Sequence, residues 1–326
     1  MLANQTNNLN NQPFLPKVSV VVPIYNGELD LPELINCLLA QTYPNDRVEY
    51  LLVDNSSRDQ TAVIIQTAVQ NANSQGINIC YLSENKIQSS YAARNTGIRA
   101  STGEIIAFTD ADCRPQPEWL YALVQAFAEP TIGFVGGTIV ALPGKTIFEN
   151  YAERRKILSH KDTALHPFLP YAAGANLAIR RKTLQEIGLF RPYLTTGGDA
   201  DICWRIQRQS SWQCSFAEQA VLWHRHRPSL WELRKQFRRY GRSHKYLEEL
   251  YNIVLFKNRW TSKEYFRRYG RWLLKELPRN TVKMILGKAT WLDLFITPID
   301  ILVFNAKSIG YQEANLSEDA QKIELL

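Results

Sequence analysis

Much that would place this 326-residue chain in a familiar class is missing. Its five cysteines (Cys37, Cys80, Cys113, Cys203 and Cys214) are scattered, and no two form a Cys-x-x-Cys pair. That argues against a zinc site and a disulfide framework, and fits a reducing compartment. No run of about 18 apolar residues occurs, so no conventional transmembrane helix is expected. The N-terminal stretch from Met1 to Gln12 is polar and Asn-rich, with neither a basic nor an apolar signal region. It reads as a disordered lead-in, residues 1–16, rather than a secretory signal. The turn after the first apolar run, Pro23-Ile-Tyr-Asn-Gly-Glu28, holds no Lys or Arg and no Gly-x-Gly-x-x-Gly. Both a basic triphosphate loop and a dinucleotide fingerprint are therefore lacking there, against a nucleotidyltransferase and a dehydrogenase respectively. No internal repeat is visible.

Acidic residues are scarce in one segment only. Arg225 to Lys288 contains 18 Lys plus Arg against 5 Glu and no Asp, a balance of +13 in a chain whose net charge is +7. The rest of the chain must then carry −6. One segment, not the whole molecule, is built for an anionic partner.

What is present is a core-forming chain, 45% hydrophobic, in which strands and helices alternate. Lys17 to Ile24, Val48 to Val53, Ile77 to Leu82 and Glu104 to Thr109 read as strands. Leu29 to Ala40, Thr61 to Asn71 and Ser89 to Ala100 have helical spacing between them. Such alternation predicts a Rossmann-like α/β fold, a mostly parallel sheet flanked by helices, with ligands outside the carboxyl ends of the strands. After Pro115 the order loosens. A helix is expected over 117–127, a strand over 131–142, a strand or hairpin over 171–179, a helix opening near Asp199 and a strand pair over 212–223. From Ser229 the chain reads as helical and basic.

The most informative stretch is Glu104-Ile-Ile-Ala-Phe-Thr-Asp-Ala-Asp112. An apolar strand ends in two carboxylates one residue apart, which leave the strand pointing the same way. Hard oxygen ligands of this kind suit Mg²⁺ or Mn²⁺, and such a cation suits a diphosphate. Two carboxylates side by side are costly, and Asp110 and Asp112 are expected to need that cation.

In order along the chain come Val-Val-Pro-Ile-Tyr-Asn-Gly, Val-Asp-Asn-Ser-Ser-Arg-Asp-Gln-Thr, Ala-Arg-Asn-Thr-Gly, Asp-Ala-Asp and Gly-Gly-Asp-Ala-Asp-Ile-Cys-Trp-Arg. This series resembles family-2 glycosyltransferases of the GT-A fold, over roughly residues 17–241. The resemblance implies a donor-nucleotide site from Pro23, Tyr25, Asn26, Asp54, Arg94 and Asp110, with Asp54 on the uracil ring and Arg94 on phosphate. It implies a metal on Asp112 and Asp110, with His224 or His226 joining the metal or the diphosphate and Arg225 or Arg227 on phosphate. Gly174 and Asn176 fall on an acceptor-side segment, with Asp201 as a further acceptor contact. The family supplies its catalytic base from a Gly-Glu-Asp-x-Asp-Leu line, which here reads Gly197-Gly198-Asp199-Ala200-Asp201-Ile202. Asp199 aligns with the base, and Gly198 stands where the family has Glu. Gln236-Phe-Arg-Arg-Tyr-Gly241 resembles a segment that follows the catalytic half.

The resulting expectation is an inverting glycosyltransferase using a nucleoside-diphosphate sugar, chiefly a UDP-sugar, with Mg²⁺ or Mn²⁺. It acts in cell-envelope polysaccharide or glycolipid synthesis. The catalytic domain is expected over 17–228, divided into nucleotide-binding (17–115) and acceptor (116–228) halves. A helical basic region, 229–326, follows. Its interleaved aromatics and cations over 229–305 suit an anionic membrane surface, contacted from the cytoplasmic side. No nucleic-acid motif is present. The rival readings are a non-catalytic sugar-nucleotide or membrane-binding module and a nucleotidyltransferase.

Overall fold

The computed structural model describes residues 14–257 and 259–326. Most of the expected lead-in thus lies outside the described residues. Phe14 and Leu15 already pack on the core, and the Tyr43 hydroxyl donates to the Pro16 carbonyl at 2.6 Å.

The chain runs β1 (Val18–Ile24), α1 (Leu31–Leu39), β2 (Val48–Asp54), α2 (Thr61–Asn73), β3 (Asn78–Ser83), α3 (Ser90–Ala100) and β4 (Ile105–Phe108). Then come β5 (Cys113–Pro115), α4 (Trp119–Gln125), β6 (Ile132–Ala141), α5 (Ile147–Arg154), α6 (His160–Ala164), β7 (Leu177–Arg180), α7 (Arg181–Ile187), α8 (Gly198–Gln209) and β8 (Gln213–His224). The remainder is helical: α9 (Leu230–Tyr251), α10 (Ser262–Arg271), a π-helical stretch (Trp272–Glu276), α11 (Leu277–Ile285) and α12 (Trp291–Glu313).

The eight strands form one sheet in the order β3-β2-β1-β4-β7-β6-β8-β5. The first four are mutually parallel, β6 and β8 are parallel, and the other three pairings are antiparallel. The sheet is therefore mixed, with a parallel half of the expected kind. In that half successive residues feed opposite cores. Val18, Val20 and Val22 join one cluster with α1 and α4, whereas Val21 joins the other with α3, α7 and α8. Burying each such side chain contributes about 1.5–3 kcal/mol, which fixes the register of the strand ends.

Two differences from the sequence pattern concern the second half. Residues 213–224 are one continuous strand rather than a pair, its irregularity absorbed by a register shift against β6 at Gly137/Thr138. Around Asn176 the chain turns in a single 3₁₀ turn, and strand structure starts only at Leu177.

α9 and α12 cross almost backbone to backbone. A Cβ on Gly241 would collide with the carbonyl of Lys307, and one on Gly310 with the carbonyl of Arg238. Only glycine allows this approach. No described helix is long and apolar enough to cross a membrane.

Candidate active site

The carboxyl ends of β1 and β4, the start of α8 and the end of β8 open on one cavity of about 730 Å³. Pro23, Tyr25 and Asn26 line it from β1. Tyr25 is half exposed, free to lie against a ligand, while Asn26 adopts a left-handed φ of 50° and accepts from the Arg58 amide at 2.9 Å. Asn26 thus also holds the loop after β2.

Asp54 ends β2 in register with Ile24. It is buried and is not part of the cavity wall; its Oδ1 accepts from the Ser57 amide at 3.0 Å. Its Oδ2 faces the Tyr81 hydroxyl at 3.4 Å. The structure thus brings Asp110, Asp112 and Asp199 into one cavity and leaves Asp54 one strand away.

Asp110 and Asp112 follow β4 into the cavity, but they are not uncompensated. The Arg94 guanidinium on α3, almost wholly buried, pairs with Asp110 at 2.6 Å. Arg227 lies 3.1 Å from Asp112, and His224 Nε2 lies 3.5 Å from it. The compensating bases come from elements distant in sequence, which corrects the expectation that a cation alone keeps the pair together. Arg94 itself lines the cavity, with one guanidinium nitrogen on Asp110. Burial pushes the Asp110 carboxyl up, offset only in part by Arg94. Burial acts the same way on Asp112, yet His224, Arg227 and Arg225 outweigh it and hold that carboxyl below the usual range. His226 is pushed down to about 4 by burial and by the neighbouring His224 and Arg227.

The donor set suits a hard divalent cation that arrives with its ligand. Among the described residues no three His, Cys, Asp or Glu side chains form a ready-made cage. Mg²⁺ and its like are commonly held by one or two carboxylates plus substrate phosphates, not by a closed protein cage. Asp112, the second oxygen of Asp110 and the imidazole of His224, whose buried Nδ1 has no hydrogen-bond partner, meet that description.

On the opposite flank, Asp199 lies in the first turn of α8 and is half-buried. Its Oδ2 accepts from the Gly174 amide at 3.2 Å, which fixes one carboxylate oxygen and places Gly174 in the wall as expected. Gly198 has a steric reason: a Cβ there would sit 2.8 Å from the Tyr91 ring. Tyr91 occupies the volume into which a larger residue would grow.

Two expected acceptor contacts are structural instead. Asn176 is fully buried; its Oδ1 takes the Trp119 indole N–H at 2.8 Å, and its amide donates to the Thr138 and Ala220 carbonyls at 3.0 Å. Asp201 is equally buried, bridging Arg191 at 3.1 Å and Arg205 at 3.0 Å and accepting from the Tyr251 hydroxyl. Both side chains are satisfied, and neither reaches the cavity.

The fold adds residues that the motifs left out of the site. α9 lays Gln236, Arg239, Tyr240 and Ser243 along the cavity, so chain on both sides of position 228 builds it. The resemblance of residues 236–241 was the one signal for them. Lys307 of α12 also lines the cavity and carried no signal at all.

A Rossmann-like sheet with a carboxylate pair at its switch point and an acidic helix start across the cavity has the architecture of the GT-A fold. The family models for glycosyl transferase family 2 (residues 19–188) and glycosyl transferase family group 2 (residues 105–304) match the chain. The chain belongs to glycosyl transferase family 2 and is a glycosyltransferase. It is 34% identical over 234 residues to glycosyltransferase AglE of Haloferax volcanii, covering 69% of this chain and 72% of that protein. It is 31% identical over 159 residues to a pre-mycofactocin glycosyltransferase of Mycobacterium tuberculosis, covering 47% of this chain but only 33% of the relative. Among solved structures, the mannosyltransferase PcManGT from Pyrobaculum calidifontis, in complex with GDP-Man and Mn²⁺, superposes with a TM-score of 0.63 at 18% identity, covering 93% and 90% of the two chains. Glucosyl-3-phosphoglycerate synthase from Mycobacterium tuberculosis, with Mn²⁺, UDP and phosphoglyceric acid, gives 0.52 at 19% identity over 74% and 81%. At these identities the structural likeness establishes the fold.

Proposed function

We propose that this enzyme moves a sugar from a nucleoside-diphosphate sugar, with UDP as the nucleotide, to an acceptor hydroxyl with inversion at the anomeric carbon. The observation that carries this reading is the shared cavity of Asp112 and Asp199, brought together from opposite ends of the catalytic fold. The Mn²⁺ and the nucleoside diphosphates named for the two structural relatives support a diphosphate leaving group, and the choice of UDP follows the second of them, since the first is named with GDP-Man. Asp112, Asp110 and His224 would hold Mg²⁺ or Mn²⁺, which when bound supplies positive charge against a departing diphosphate. Asp199, steadied by the Gly174 amide, accepts the proton of the acceptor hydroxyl. The hydroxyl oxygen bonds to the anomeric carbon as the bond from that carbon to the diphosphate oxygen breaks. One displacement on the face opposite the leaving group inverts the centre.

The acceptor side is proposed to work at an anionic membrane surface in envelope glycolipid or polysaccharide synthesis, on the cytoplasmic face. One relative is an undecaprenyl-phosphate 4-deoxy-4-formamido-L-arabinose transferase, matched over 36% of this chain. The physical support is the outer face of α10, the π-helical stretch and α11. Phe266, Leu274 and Ile285 are 81%, 76% and 77% exposed, too much for an ordinary solvated helix. Lys263, Arg267, Arg271, Lys275, Arg279 and Lys283 are exposed around them. Both acids of this stretch are occupied: Glu264 caps α10 through Thr261, and Glu276 pairs with Arg271 and takes the Thr297 hydroxyl. Apolar anchors ringed by six cations, of which Arg271 alone has an acidic partner among the described residues, match a lipid surface of negative charge.

Asp199→Asn tests the chemistry. UDP binding with Mn²⁺, measured by calorimetry, should persist, and UDP release from UDP-sugars with an envelope lipid extract as acceptor should fall by about 10²–10⁴. A variant with near-normal turnover would assign the base elsewhere.

A further inference from the structure

The close crossing of α9 and α12 delivers Lys307 into the cavity that holds Asp199. Its Nζ lies 3.3 Å from His244 Nε2 and 4.4 Å from the centre of the Phe256 ring. His244 Nδ1 lies 2.7 Å from the Tyr240 carbonyl, which only accepts. Nδ1 therefore carries the ring proton, Nε2 presents a lone pair, and the ammonium donates to it. That uses one of three N–H groups, and a second faces the aromatic ring.

No carboxylate pairs with this ammonium among the described residues. Glu248, one helical turn beyond His244, is fully engaged: Oε1 accepts from the Leu255 and Phe256 amides at 2.8 and 2.9 Å, and Oε2 from the Tyr311 hydroxyl. Lys307 is half-buried, and the contrast with the buried cations is clear, since Arg94 has Asp110 and Arg205 has Asp201. Leu247, Leu255 and Trp204 line the same cavity, and no counter-ion among the described residues pairs with the charge. Burial is the one influence that moves the ammonium, down to about 8. A charge held this way costs stability, and a ligand of opposite charge removes the cost. The cluster also adjoins the base: a Cβ on Gly197, which opens α8, would lie 2.5 Å from Ser243 Oγ, next to His244 in sequence.

We infer that Lys307 is the anion-binding residue of the acceptor site, and that the acceptor carries an oxyanion, a phosphate or a carboxylate, which pairs with Lys307 while its hydroxyl lies at Asp199. The inference rests on Asp199 marking the acceptor side. The oxyanion could belong to a soluble ester or to a lipid headgroup; its chemistry at Lys307 is the same.

Calorimetric titration of the full chain, saturated with UDP and Mn²⁺ so that the donor side is filled, tests this with phenyl phosphate and phenylacetate as probes. The wild type should bind at least one of them, Lys307→Met should bind it at least tenfold more weakly, and Lys307→Arg should recover most of the affinity. UDP affinity should be the same in all three, and matching circular dichroism spectra confirm a folded variant. Dodecyl phosphate in neutral micelles separates the sources. Tighter binding than phenyl phosphate indicates a lipid headgroup and equal binding a soluble ester, with the Lys307→Met loss present in both. Wild type and Lys307→Met binding the probes equally, or the wild type binding neither at millimolar concentration, overturns the inference. Failure of the wild type to bind UDP strikes the functional reading itself.

Discussion

A half-buried lysine without a counter-ion should make the ligand-free protein less stable than it could be. The Lys307 ammonium falls from its ordinary 10.5 to about 8 because of burial. At 1.36 kcal/mol per pH unit this amounts to about 3 kcal/mol of destabilisation below pH 8. Lys307→Met removes the charge and keeps an unbranched apolar side chain. It also gives up the hydrogen bond to His244 and the cation over the Phe256 ring, together about 1 kcal/mol. The net expectation is a gain of about 2 kcal/mol at pH 7, or about 4 °C in melting temperature for a chain of this size.

The pH dependence has a definite sign. The folded-state value lies below the unfolded one, so between about pH 8 and 10.5 the unfolded chain holds more protons at this position. The contribution of Lys307 to wild-type stability therefore rises with pH across that window. The advantage of the variant is full below pH 8 and gone by about 10.5. Neighbouring groups do not titrate there. Burial, then the Lys307 charge, pushes His244 down to about 4, and burial, then Glu248, raises Tyr311 to about 12. Calorimetric melts of both proteins from pH 6 to 10 read the difference directly. A variant melting at or below the wild type at pH 7, or a difference that stays flat with pH, refutes the reasoning.

Asp201→Ala should act on stability rather than on acceptor recognition. It strands the Arg191 and Arg205 guanidinium groups, and chemical denaturation should show a loss of about 3–5 kcal/mol with UDP affinity retained by the folded fraction; intact stability with altered transfer would return Asp201 to the site. Vesicle co-sedimentation checks the outer face of α10 and α11. The protein should pellet with vesicles containing anionic lipid and not with neutral ones, salt should weaken binding, and Phe266→Glu with Leu274→Glu should abolish it. Equal binding to neutral vesicles, or a concentration-dependent dimer lost in the double variant, would assign the face to another partner.

The parallel half of the sheet was legible because its strands are short, largely apolar runs whose ends coincide with turn residues. The cavity was legible where one local motif sets one local geometry, as at Asp112 and Asp199. It was not legible where a polar residue's role depends on partners from elsewhere. Asp201 and Asn176 stand in functional-looking motifs, yet Arg191, Arg205 and Tyr251 claim the first, and Trp119, Thr138 and Ala220 the second. The bases that balance Asp110 and Asp112 come from α3 and from the end of β8, far along the chain. Nothing local to Lys307 announces its position, which follows from two glycines that let two helices touch.

Gly198 and Lys307 bear on the acceptor side together. In sequence Gly198 is a missing acid; in the fold its place is closed by the Tyr91 ring, so a carboxylate could enter only if Tyr91 moved. Lys307 adds an unpaired cation to the same cavity. One change withholds a negative charge and the other supplies a positive one. Charges act on a ligand through their sum, more strongly in a cavity partly shut off from solvent than in open water. A neutral sugar acceptor would gain little from either feature. An anionic acceptor gains from both, since it meets less repulsion near Asp199 and an attractive partner beyond it.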